Sequence, residues 1–89
     1  MALFEAQSFS IIHTAAEGGA ADALFELGLM YCAGREVDVD FVAAHKWFNL
    51  AALRGNDSAK QYRAEISREM SRADVAKAQK LAREWMRCH

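Results

Sequence analysis

Few side chains in this sequence could do acid–base, nucleophilic or metal chemistry, and they are scattered. Three histidines (His13, His45, His89) and two cysteines (Cys32, Cys88) are spread through 89 residues. The pair to test is Cys32 with His45, because a thiol becomes a nucleophile when a histidine takes its proton. No third group stands ready to orient the imidazole, and no glycine-rich turn offers an oxyanion site. His45, next to Ala44, falls on the flank of its helix rather than on the apolar face, so an exposed histidine and a small buried or groove-facing thiol are expected. Asp38 and Asp40 lack further oxygen ligands at calcium-loop spacing and read as a loop carboxylate and a helix cap. Phosphate loops, paired catalytic carboxylates and Cys/His metal spacings are also missing. The expectation is no catalytic residue, no metal and no cofactor.

The elements that would carry these residues are helices. Ala20, Leu24, Leu27 and Tyr31 recur at helical spacing, as do Ala44, Trp47, Phe48 and Ala51, so each stretch has one apolar face. Gly28 lets a facing helix come close, with Trp47 large enough to fill the space between the pair. The first helix of the pair spans Ala20 or Ala21 to Ala33, with Gly34 just past its end, and the second runs from Asp40, its cap, to about Arg54. Before them, residues 2 to 17 form a helix. After them, Asp57 or Ser58 opens one that runs to about Met70. Ser71 with Asp74 then starts a last helix whose face carries Val75, Ala78, Ala82 and Trp85. The two tryptophans read as core anchors.

The sequence also repeats itself. Ala15-Ala16-Glu17-Gly18-Gly19 is mirrored by Ala51-Ala52-Leu53-Arg54-Gly55, and Ala23 by Ala59, at a shift of 36 residues. That is the period of a helical solenoid. Leu27-Gly28 with Tyr31, Gly34 with Val37 and Asp40, Ala44 with Trp47 and Ala51-Ala52, and Gly55 with Ala59 together resemble the Sel-one-like repeat, a relative of the tetratricopeptide repeat. The segment from Met70 to Trp85 is similar to the C-terminal capping segment common in bacterial proteins of this kind. The resemblance implies an all-α fold, a right-handed α/α superhelix of four to five antiparallel helices in one domain. Residues 1–19 would be an N-terminal half-repeat helix, 20–55 a complete repeat, and 56–89 a C-terminal half-repeat with its capping helix. Glu36 stands where such repeats usually carry a second loop glycine. A left-handed backbone there would be strained, or the loop differs.

A chain of 89 residues buries only about 60–65% of its unfolded surface, so its core is marginal. The formal net charge of −1 gives no global field for nucleic acid or an anionic membrane. Residues 71–89 do hold five basic side chains against two acidic ones, which a solvated helix face explains. The opening residues lack a basic leader and no apolar run approaches membrane length, so a soluble cytoplasmic protein with two free thiols is expected.

One feature is left over. Phe25, Leu29 and Cys32 form a second stripe on the first repeat helix, away from Leu24, Leu27 and Tyr31. By the resemblance, Asp22, Phe25, Glu26, Leu29 and Cys32, joined by Gln61, Tyr62, Glu65 and Arg68, would line a concave face that holds a peptide or helix of another protein. The first or last helix could instead fold over this stripe and make it core. A non-catalytic interaction module is the expected function. The alternative is a homo-oligomer formed through Phe4, Phe9 and Ile12 of the N-terminal helix. More remotely, cysteine-rich members of the family are linked to β-lactams, but the disulfide pattern that goes with this is missing here.

Overall fold

The computed structural model describes residues 2–89, with side chains from residue 9 onward, so Phe4 lies outside the described side chains. Its helices are α1 (Ala2–Glu17), α2 (Ala21–Ala33), α3 (Phe41–Leu53), α4 (Asp57–Ser67) and α5 (Arg72–Cys88). No strand occurs among the described residues. The longest helix spans about 25 Å at 1.5 Å per residue. The molecule, at 38 × 26 × 21 Å along its principal axes, is longer than any one of its helices.

Helices α3, α4 and α5 each start on a side-chain cap. The Asp40 carboxylate accepts the Ala43 N–H at 3.0 Å, Asn56 Oδ1 accepts the Ala59 N–H at 3.0 Å, and Ser71 Oγ accepts the Asp74 N–H at 3.1 Å. These bonds satisfy donors that a helix start leaves free. The ends of α1 and α3 are closed alike, 36 residues apart. Gly19 N–H donates to Ala16 O (2.8 Å) and Ala20 N–H to Ala15 O (3.2 Å). Gly55 N–H donates to Ala52 O (3.2 Å) and Asn56 N–H to Ala51 O (3.0 Å). Both glycines are left-handed, at φ +88° and +101°, as this closure requires. The α-helix of α4 ends three residues before Met70. Beyond Ser67 the N–H groups of Arg68, Glu69 and Met70 bond three residues back instead of four, a tighter turn that leads into the Ser71 cap.

Helix α3 is the centre, packed against α2, α4 and α5, while α1 packs on α2. Leu24, Leu27, Met30, Ala44, Phe48, Leu50, Ala51 and Ala59 are fully or almost fully buried. The close approach at Gly28 is real, but Phe48 fills it instead of Trp47: a Cβ on Gly28 would stand inside the Phe48 ring's envelope. Trp47 turns the other way, edge-on to Trp85 of α5 at 6.2 Å and to His13 of α1 at 6.1 Å. Two aromatic rows therefore flank α3, one toward α1 and α5 and one toward α2 and α4. Glu36 does take a left-handed φ, +66°, among non-glycine residues that otherwise avoid it.

Candidate protein-binding surface

The row toward α2 and α4 carries the stripe singled out in the sequence. Phe25, Phe48 and Tyr62 form a triangle of rings, with centroids 5.8 Å, 5.4 Å and 5.6 Å apart. Phe48 is fully buried, Phe25 is half-buried, and Tyr62 is 41% exposed. The cover over Phe25 thus comes from α3 and α4. Helix α1 meets α2 from elsewhere, through Phe9 against Tyr31 at 6.4 Å, and α5 packs on α3. Leu29 and Cys32 are half-buried beside the core, and burial pushes the Cys32 thiol above its ordinary pKa, which favours the neutral form over a reactive thiolate.

The polar members of the expected face are placed differently. Asp22 is exposed and accepts a bond from Asn56 Nδ2 at 3.2 Å, which links the first turn of α2 to the start of α4. Glu26 pairs with Arg35 of the loop at 3.2 Å. Gln61, Glu65 and Arg68 are all exposed on α4. At 100° per residue, Glu65 stands about 60° from Tyr62, Gln61 about 100° and Arg68 about 120°, each away from the core. The structure brings Phe25 and Tyr62 together, with Leu29 one turn along α2 from Phe25 and Glu65 the polar residue of α4 nearest to Tyr62 by rotation, while Gln61 and Arg68 turn farther toward solvent.

His45 corrects an expectation. It is only 2% exposed and faces α4 instead of solvent. Ser67 Oγ donates to the Arg63 carbonyl at 2.8 Å, so His45 Nε2–H donates to Ser67 Oγ at 3.0 Å, and among the described residues the buried Nδ1 has no partner. Burial holds the His45 pKa below its ordinary value, helped by the Arg63 charge. Arg63, at the position that Leu27 occupies in the complete repeat, donates to Asn49 Oδ1 of α3 at 2.6 Å. His45 is therefore a neutral packing residue of the α3–α4 contact, and its ring is bonded to Ser67 and not to Cys32. Among the described residues no group of three or more His, Cys, Asp or Glu side chains could hold a metal ion.

A second concavity lies on the opposite side of α3, where the sequence reading saw only core and solvated surface. A groove of about 430 Å³ runs between α1 and α5 over the first half of α3, bordered by His13, Tyr31, Val42, Lys46, Lys77 and Leu81. Lys77 and Leu81 stand one helical turn apart on α5, and that spacing was the available signal. It needed the position of α5 to mean anything.

An all-helical α/α repeat architecture is the class that these helices, closures and packing define. Residues 21–56, from α2 through the α3–α4 junction, match the family model of the Sel1 repeat. Proteins of this family typically take part in protein–protein interaction, and their repeats are generally non-catalytic modules. No curated protein matches the chain.

Proposed function

We propose that this chain is a non-catalytic interaction module that binds an extended segment or helix of another protein along the α2/α4 face. The observation that carries this is the half-open aromatic shelf of Phe25 and Tyr62, continued by Leu29. An apolar anchor of a partner can seat there, with Glu65 setting the polarity at its edge. The Sel1 match and the buried, structurally committed His45 support a binding role over a catalytic one. The matching closures of α1 and α3 support reading α1 as the second helix of a preceding half-repeat, with α5 as the terminal cap. No helix among the described residues is long and apolar enough to cross a membrane. A cytoplasmic setting belongs to the same proposal and is supported by two free thiols, and a bacterial one by the likeness of the Met70–Trp85 segment to the capping segment of bacterial repeat proteins.

Tyr62→Glu tests the face, because Tyr62 is the most exposed ring of the triangle. The expected result is loss of the proteins that the wild-type chain captures from source lysate, with the helical circular dichroism signal unchanged. Capture that is indifferent to this substitution would sink the proposal. A second reading, self-association, is favoured by one observation. Ile11 is 62% exposed on α1, beside Phe9 and Ile12, which are half-buried against the core. Sedimentation velocity separates the two: a dimer that Ile11→Asp turns into a monomer supports self-association, and a monomer at all concentrations removes it.

A further inference from the structure

The groove between α1 and α5 has a composition that neither core packing nor the α2/α4 face accounts for. Its walls hold two ammonium groups, Lys46 on α3 and Lys77 on α5. Lys46 is half-buried, with Nζ 4.2 Å from the centroid of the Trp47 ring. Among the described residues neither lysine forms an ion pair, and burial lowers the Lys46 pKa against the opposing pull of Glu17. The groove's own carboxylate, Asp40, is already the acceptor for the Ala43 N–H. Between the charges lie half-buried apolar side chains, Tyr31, Val42 and Leu81. A partly desolvated cation that lies over a ring face, with no ion pair among the described residues, gains more from an arriving anion than a fully hydrated one does, because less water screens the contact.

We propose that this groove binds an acidic stretch of a partner protein, seating an apolar side chain among Tyr31, Val42 and Leu81 and a neighbouring carboxylate on Lys46 and Lys77. Its volume lies in the range of ligand clefts and suits the side chains of two or three residues. Charge complementarity selects the occupant, and beyond Lys77 the three cations Lys80, Arg83 and Arg87 on α5 outnumber the one carboxylate, Glu84. A second copy docked by two-fold symmetry would set the lysines against themselves. Nucleic acid would need a longer basic track and open stacking faces, whereas Trp47 is only 5% exposed and the chain's net charge is −1. This site is independent of the α2/α4 face, so either can fail alone.

The test uses the full chain and a fluorescein-labelled peptide in which two leucines are flanked by glutamates. Controls are copies with glutamine or lysine in place of the glutamates. The expected result is saturable anisotropy for the acidic peptide, weakening as salt rises, with the glutamine copy about tenfold weaker and the lysine copy not binding. K46Q/K77Q should lose about tenfold in affinity, the paired arginine variant should keep binding, and Tyr62→Glu should bind as wild type does. Circular dichroism on each variant checks that it is folded. Equal binding of the acidic and glutamine peptides, unchanged affinity in K46Q/K77Q, loss of binding in Tyr62→Glu, or no anisotropy change at millimolar protein would each overturn the proposal.

Discussion

At the scale of single residues, His45 shows how a group with catalytic potential becomes structural. Its Nε2–H is used by Ser67, and its Nδ1 is buried with no partner among the described residues, so the folded chain has room for a neutral imidazole and little for a cation. The folded pKa lies below the ordinary 6.5, first through burial and then through Arg63. The unfolded chain therefore takes up a proton as pH falls through 6.5 while the native chain resists it, so stability is lost on the acid side and kept above neutrality. Urea unfolding at pH 7.5 and pH 5.5 should show the wild type weaker at pH 5.5. His45→Gln should show a smaller difference, since carboxylates common to both chains contribute equally. An identical drop in the two chains would mean that His45 titrates in the fold as it does in the unfolded chain. The periodicity of α3 did not reveal this burial because it registers one apolar face. His45 lies off that face, and a third helix covers it from the flank.

At the scale of elements, most of what the structure shows was legible, because helix ends are written in short-range chemistry. Asp40 and Ser71 as caps, and Gly34 in a left-handed turn at φ +71°, need only their immediate neighbours to act. The end of α4 was not legible to the residue, since no glycine or proline marks it and the helix instead tightens through three-residue-back bonds. The loop between α2 and α3 holds the departure from the family's pattern. Arg35 N–H to Met30 O and Asp40 N–H to Tyr31 O, both 3.0 Å, bracket this loop, and within it Glu36 adopts φ +66°. A left-handed L-residue costs about 1–2 kcal/mol, and glycine avoids that while adding some freedom to the unfolded chain. Glu36→Gly should therefore stabilise the protein by about 1 kcal/mol, read as a higher urea midpoint at unchanged slope. A lower midpoint would mean that the Glu36 side chain contributes more than its backbone costs.

At the scale of the whole molecule, what could not be read was which helix covers which face. Phe25 and Leu29 were recognisable as a second stripe, but their partial cover by Tyr62 depends on where α4 lies across α3. The acidic-peptide groove depends on α5 crossing to α3, which no local pattern states. That crossing is held largely by Trp85. It is 7% exposed, edge-on to Trp47 at 6.2 Å, stacked on His89 at 3.9 Å and approached by Arg54 at 5.8 Å. His89 in turn contacts the Glu17 carboxylate, so the end of α5 is tied to the end of α1. A chain of this size has a total stability of about 4–13 kcal/mol, and truncating a buried tryptophan costs about 3–5 kcal/mol. Trp85→Ala should therefore remove a large share of the stability and open the far side of Trp47 to water. The measurements are a thermal melt, expected to fall well below that of the wild type, and the emission of the remaining tryptophan, expected to shift to the red. A small shift in the melt with unchanged emission would show that α5 is an appendage to the array instead of its closing wall, and the groove it forms with α1 would lose its support.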